Sequence, residues 1–209
     1  MSMNSQSLEI GSTQIRILST VKGLVSEAVI VEKEIDSFNP NLIVLGLSEG
    51  EIEGIRNWDG KPYDLSGWDE IYGLSLRKIV GDNSIRLPPP SFTSAIEISD
   101  LKHIDILGLD MDEETYTDEY TKKISTWQLF KRGRLEKSMV KSGIDGETPE
   151  EIAMNMESAI RQLSGFNNLE NSRVKYMVLK FRENLDNERI LAIIEISNVE
   201  LLINLLKES

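Results

Sequence analysis

Residues 14–47, QIRILSTVKGLVSEAVIVEKEIDSFNPNLIVLGL, read as strand, turn, helix and strand, and this unit decides the fold. Gln14 to Ser19 alternates apolar and polar side chains, the period of a strand with one buried face. Ser26 is placed to cap a helix. Leu24, Ala28, Val31, Ile35 and Phe38 follow at spacings of four, three, four and three, which puts them on one helical face. Asn39-Pro40-Asn41 stops that helix. Leu42-Ile43-Val44-Leu45 is an unbroken apolar run, as a strand buried on both faces requires. Two strands joined by a helix imply a right-handed crossover with parallel pairing. Open α/β sheets bind ligands where their strands end. Here those ends carry Thr20, Lys22, Gly46 and Ser48, with no histidine or cysteine and no carboxylate before Glu49.

Working outward, Leu8 to Ile10 pairs with Gln14 to Leu18 across Gly11-Ser12-Thr13 as an N-terminal β-hairpin. Residues 49–67 lack periodicity and read as a loop or broken helix, and Trp68 to Val80 reads as a helix. Pro88-Pro89-Pro90 forces an extended segment, after which Ser91 caps a helix carrying Ala95 and Ile96. His103 to Leu109 is a third strand, with His103 at its start, away from the ligand edge. Asp110 to Glu114 opens a long helix, where acids suit the positive end of the dipole. Gly143 to Gly146 breaks it. Thr148-Pro149-Glu150-Glu151 starts another, with Ile152, Met156, Ile160 and Leu163 as its buried stripe and Gly165 with Asn167-Asn168 as its end. Residues 172–184 are helical, Arg189 to Ile196 is a fourth core strand, and Val199 to Leu206 closes the chain as a helix that Asn198 caps. The expected fold is α/β: a central, mostly parallel sheet with helices on both faces and a mainly helical layer or subdomain, residues 113–184, inserted before the last strand. The 209 residues fit one such domain.

Composition narrows the chemistry. The chain has no cysteine and one histidine, His103. This excludes disulfides, thiolate sites, multi-histidine metal centres and most histidine triads. Hydrophobic residues are 40% and charged residues 28% of the chain. A net charge of −12 repels phosphate backbones, so no nucleic-acid partner is expected. Seven basic residues (Lys122, Lys123, Lys131, Arg132, Arg134, Lys137, Lys141) nevertheless crowd one stretch with a single acid, Glu136. Such a run is more often a solvated helix face than a patch for an anion or acidic partner. No apolar run approaches the length of a membrane span, and Met1 to Ser7 is polar, unlike a secretory leader. A cytoplasmic protein without membrane insertion is expected.

Asp110 and Asp112 sit together at the end of the third strand. Paired carboxylates suit magnesium or manganese, with Glu49, Glu51 or Glu195 as further ligands if the fold gathers them; helix capping is the commoner use of such acids. Lys22 follows the first strand and is placed to bind an anion or, if buried, to act as a base.

The blocks IRILSTVKGLVSEAVIVEKEIDSFNPNLIVLGLSEGEIEGIR, PPPSFTSAIEISDLKHIDILGLDMDEETYT, Phe181-Arg182 and EISNV follow one another in the order of a known family. In that order and spacing the chain resembles the TraB family of pheromone-shutdown proteins, related to the TIKI proteases and more remotely to erythromycin esterase-like and ChaN-like proteins. Family members open with a strand leading to Gly-Thr-x-His, follow with a strand ending in Glu-Leu, then a Pro-Gly-x-Glu block, a strand ending Asp-Arg-Asp, and a closing Gly-x-Gly-His. Thr20, Asp110 and Asp112 match those motifs. Lys22 stands at the first histidine, Gly46 at the first glutamate, Ser91 near the second, Met111 at the arginine and Asn198 at the last histidine. In the family these positions are the proposed catalytic or metal-binding set. The resemblance therefore implies the family fold and a catalytically inactive protein that binds a small ligand or protein partner through the former cleft, around Thr20, Lys22, Ser91, Asp110, Asp112 and Asn198. It implies no cofactor. The alternative is a peptide or ester hydrolase that uses Mn²⁺ or Mg²⁺ on Asp110 and Asp112 with Lys22. The helices from 113 to 164 offer a surface for a partner or a homo-oligomer.

Overall fold

The computed structural model describes residues 5–62, 65 and 67–208. The hairpin is present: β1 (Ser5–Ile10) pairs antiparallel with β2 (Thr13–Thr20), turning at Gly11, whose φ of +61° suits glycine. The chain continues into α1 (Ser26–Phe38) and β3 (Leu42–Leu45). Asn39, in the left-handed conformation with φ +50°, ends α1 as the Asn-Pro-Asn signal requires. Ser26 does not cap that helix: Val25 precedes it without a side-chain cap, and Glu27 instead turns back to the Val21 amide.

The next helix corrects the reading of residues 49–67. α2 (Glu49–Arg56) is complete, because Ser48 and Glu51 form a reciprocal capping box; residues 63, 64 and 66 of that stretch lie outside the described residues. α3 (Trp68–Val80) forms as expected. α4 (Pro90–Lys102) begins on Pro90 with Pro89 before it, so proline occupies the first helical position and Ser91 lies inside the first turn rather than capping it. His103 closes α4 with φ +55°, and this shortens the third strand to β4 (Asp105–Gly108).

The helix expected from 113 to 142 is two: α5 (Glu113–Lys123) and α6 (Thr126–Ser142), separated where Ser125 caps α6 and Ile124 turns inward, 8% exposed. α7 (Pro149–Arg161) starts on its Thr-Pro-Glu-Glu signature, the Thr148 hydroxyl accepting from the Glu151 amide at 3.2 Å. Gly165 and Asn167-Asn168 do not end a helix. They lie inside α8 (Ser164–Arg182). A Cβ at Gly165 would stand 2.7 Å from the Lys123 carbonyl oxygen, so the glycine is there to let α8 pass close to the end of α5. β5 (Arg189–Glu195) then runs without a loop into α9 (Ile196–Lys207). α9 therefore starts before Asn198, which lies in its first turn and is not its cap.

Among the described residues the strands form one sheet in the order β1-β2-β5-β3-β4, and all pairs except β1–β2 are parallel. β2 and β3 are parallel but not neighbours; β5 lies between them. The reason is burial. Ile190 to Ile194 of β5 are each fully buried, which only the central position satisfies. Its alternation sorts the faces. Ile190, Ala192 and Ile194, with Ile15, Ile17 and Val44, meet Val174, Met177, Phe181 and Leu202 of α8 and α9. Leu191 and Ile193, with Leu18, Ile43 and Leu45, meet Val31, Ile35, Phe92 and Ala95 of α1 and α4. Each of these side chains larger than alanine stabilises the fold by about 1.5–3 kcal/mol.

Smaller apolar clusters join the remaining helices. Val21, Leu24, Leu76 and Ile152 link the loop after β2 to α3 and α7. Ile71, Met139 and Met156 link α3, α6 and α7. Ile124, Leu163, Phe166 and Leu169 hold the end of α5 to α8. The helical stretch expected before the last strand is thus present, and α3 packs with it.

Candidate functional site

The four parallel strands end on one edge of the sheet, at Thr20, Leu45, Gly108 and Glu195. β3 and β4 stay paired a little further, through Leu109 N to Leu45 O at 2.9 Å and Asp110 N to Leu47 O at 3.0 Å. Gly108 permits this close crossing, since a Cβ there would stand 2.7 Å from Leu47 O and Glu49 N.

Along this edge the predicted residues separate. Thr20 and Lys22 line a hollow of about 150 Å³ together with Trp68, Tyr72, Glu157 and Glu195. Asp110 and Asp112 line a second hollow, of about 550 Å³, with Ser48, Glu51, Tyr116 and Arg173. Ser91 lines neither; it is 1% exposed in the core-facing turn of α4, and its hydroxyl has no hydrogen-bond partner among the described residues. Asn198, 6% exposed, accepts from Arg161 Nη2 at 3.4 Å.

The polar groups are engaged within the chain. Thr20 Oγ1 donates to Ile194 O at 3.4 Å. Lys22 Nζ lies 3.2 Å from Asp69 Oδ1, with 40% of its side chain exposed. Burial acts to discharge that ammonium, but the Glu195, Asp69 and Glu51 carboxylates outweigh it and hold its pKa above the ordinary lysine value. These carboxylates favour the charged form of the lysine. Asp112 caps α5, accepting from Thr115 N at 2.7 Å, and that bond holds its carboxyl below the usual range. Asp110 accepts from Met111 N at 2.8 Å and from both Nε and Nη2 of Arg173, with the Nε bond at 3.1 Å.

Of the further carboxylates considered as metal ligands, Glu49 accepts from Gly108 N at 2.8 Å and Glu51 completes the α2 cap. Among the described residues no three carboxylate or histidine side chains are gathered in a way that could hold a metal ion.

The structure adds residues that the sequence reading missed. Arg161 and Arg173, one on α7 and one on α8, organise a charge network beside the two hollows. Arg161 meets Glu157 at 2.6 Å, Asn171 at 2.8 Å and Asn167 at 3.2 Å. Arg173 meets Glu170 at 2.8 Å as well as Asp110. Burial raises the Glu157 and Glu170 carboxyls above the usual range, with repulsion from Glu170 adding to it at Glu157 and from Asp110 at Glu170. Burial opposes the Arg173 charge, but Glu170, Asp110 and Glu195 outweigh it and raise its pKa. Glu195, at the end of β5, acts on Lys22, Glu157 and Arg173 alike.

Glu27 is a second omission. It is 3% exposed, accepts from Val21 N at 2.8 Å, and burial pushes its carboxyl up to about 7 against that hydrogen bond, with Glu150 adding repulsion. The signals were present as helical pairs, Glu157 four residues before Arg161 and Glu170 three before Arg173. Placing a helix end at Gly165 to Asn168 hid the second pair's place in the fold.

Chemically, the edge is a polar surface whose charges compensate one another. It can bind a ligand by exchanging internal partners, and it offers Glu157 and Glu170 as carboxyls with raised pKa. No model of a known protein family matches this chain, and no curated protein matches it.

Proposed function

We propose that the protein is a non-catalytic, cytoplasmic TraB-like binding protein that receives a small ligand or a protein partner at the carboxyl edge of its sheet. One observation carries the reading: the polar side chains at the candidate positions of that edge are already committed. Lys22 is held by Asp69, Asp110 by Arg173, Asp112 by the first turn of α5 and Asn198 by Arg161. A nucleophile, general base or metal ligand must instead keep an open coordination or proton-transfer position. The replacements relative to the resembled family point the same way, with Lys22 and Asn198 at the histidine positions and Gly46 at a glutamate position. The larger hollow, about 550 Å³, falls in the size range of small-molecule sites and is the proposed ligand position.

The test is a thermal-shift screen of small metabolites. A ligand at a hundred times its Kd stabilises the fold by about 2.7 kcal/mol. The expected ligand raises the Tm of the wild type, and its effect is lost in Tyr116→Ala, which removes a wall of the hollow. A divalent-metal hydrolase is the second reading, with Asp110 and Asp112, which line the same hollow, as its candidate ligands. Hydrolysis of a peptide or ester that depends on Mn²⁺ or Mg²⁺, with a metal-dependent rise in Tm, would replace the first reading with the second.

A further inference from the structure

α6 buries one residue, Met139. Residues three, four and seven apart share a helix face. Trp127, Phe130, Lys131, Arg134, Lys137 and Lys141 therefore form one ridge, and all six are exposed. Trp127 is 61% and Phe130 54% exposed, and their rings stack with centroids 5.4 Å apart and 16° between planes. Lys131 lies over the Trp127 ring at 5.7 Å and Arg134 over the Phe130 ring at 6.0 Å. Leu129 and Val140 add exposed apolar surface on one flank.

The ridge is cationic in a protein of net charge −12. Its four cations form no ion pair among the described residues. The other basic residues of the stretch are used elsewhere: Lys122 and Lys123 on Glu119, and Arg132 over Trp68 and Phe166. The single acid, Glu136, is directed at Gly67, its Oε1 2.9 Å from where a Cβ would stand.

We propose that α6 is a docking ridge for the anionic surface of a phospholipid bilayer. Cations on a ridge with exposed aromatic and aliphatic side chains suit the headgroup boundary, where the aromatic rings enter and the basic heads stay with the phosphates. A convex ridge encloses nothing, so it gives an acidic peptide no groove. The rings stack on each other, so each has one face taken and less is left for nucleic-acid bases to stack on. The acidic remainder of the molecule is repelled by the same bilayer, so the protein docks in one orientation, with α6 down. The association is peripheral; among the described residues no helix is long and apolar enough to cross a membrane.

The experiment is co-sedimentation of the full chain with phosphatidylcholine vesicles containing about 30% phosphatidylserine, at low salt, against vesicles of phosphatidylcholine alone. Binding to the anionic vesicles only is expected, with a blue shift of tryptophan emission that Trp127→Phe abolishes. Lys131→Gln with Arg134→Gln should weaken binding about 25-fold, roughly fivefold for each charge removed near the surface. Trp127→Ala with Phe130→Ala, both at exposed positions, should abolish it without changing the circular dichroism spectrum. No sedimentation with anionic vesicles, equal sedimentation with neutral ones, or stronger binding to a polyglutamate peptide or a single-stranded oligonucleotide would each overturn the proposal.

Discussion

At the centre of the sheet, Ile190 to Ile194 have no exposed surface and lie among apolar side chains on both faces. At the carboxyl edge, Asp110 is nearly as buried, 5% exposed, yet it is held by a guanidinium. The first region gains stability from every methylene it hides from water. The second loses hydration of its charges and recovers it only through geometry, so removing either partner strands the other. The sheet is therefore tolerant in chemistry and strict in volume, and the edge is the reverse.

The largest effect should come from breaking the sheet. Phe181, fully buried against β5 and β2, is the bulkiest contact that α8 makes with the core. Phe181→Ala should cost about 4 kcal/mol, read from urea or thermal unfolding. Arg173→Met should cost about 3 kcal/mol, because it leaves Asp110 buried without its counter-charge. Adding Asp110→Asn to Arg173→Met should restore the part of that loss that Asp110 causes, Glu170 still lacking its partner, a coupling that a double-mutant cycle measures. A single-mutant cost below about 0.5 kcal/mol would instead make the pair an ordinary surface bridge and erase the contrast between the regions.

The same contrast separates what was legible in the sequence from what was not. Period-two alternation and unbroken apolar runs identified β2, β3 and β5, because a strand's environment is written in its own residues. The capping signals at Thr148 and the stop at Asn39 worked for the same local reason. Strand order was not local: that β5 divides β2 from β3 depends on its burial being the most complete. The helix boundaries at Ile124 and Ser164 failed because Gly165 acts through a close approach to Lys123, not through chain breaking. At the site, Thr20, Lys22, Asp110 and Asp112 do lie on the expected edge, where strand ends put them. Ser91 and Asn198 do not line either hollow. The arginines that organise the edge come from α7 and α8; their helical partners Glu157 and Glu170 were legible, but nothing within those helices states that Arg173 also meets Asp110 or Arg161 Asn198.

A pH titration tests the edge without altering its packing. The Glu27 carboxyl shifts from an ordinary value of 4.5 to about 7 on folding, chiefly through burial. Between about pH 4.5 and 7 the folded protein holds a proton there that the unfolded chain has released. Stability therefore falls as pH rises through that window and levels off above it. The full effect is roughly 3 kcal/mol, and Glu157 and Glu170, also raised, act in the same direction. Glu27→Gln keeps an oxygen for the Val21 amide and removes the charge. The variant should show a flatter profile and a higher Tm than wild type at pH 8. A parallel profile would place the titration elsewhere on the edge.

Ser48 stands where the two regions meet. It follows the extension of β3, begins α2, and lines the larger hollow. Its amide and hydroxyl both reach Glu51 Oε2, at 2.8 and 2.9 Å, while its oxygen accepts from the Glu51 amide at 3.2 Å. Ser48→Ala removes one half of this box and leaves the Glu51 carboxylate its bond to the Ser48 amide. The loss should be about 1 kcal/mol in thermal unfolding, the ordinary value for a cap. A loss as large as that of Phe181→Ala would mean that the edge is locked to the core through this corner, with α2 unable to move independently of the sheet. A small loss leaves α2 free to adjust, which is what a ligand entering between Ser48 and Tyr116 needs.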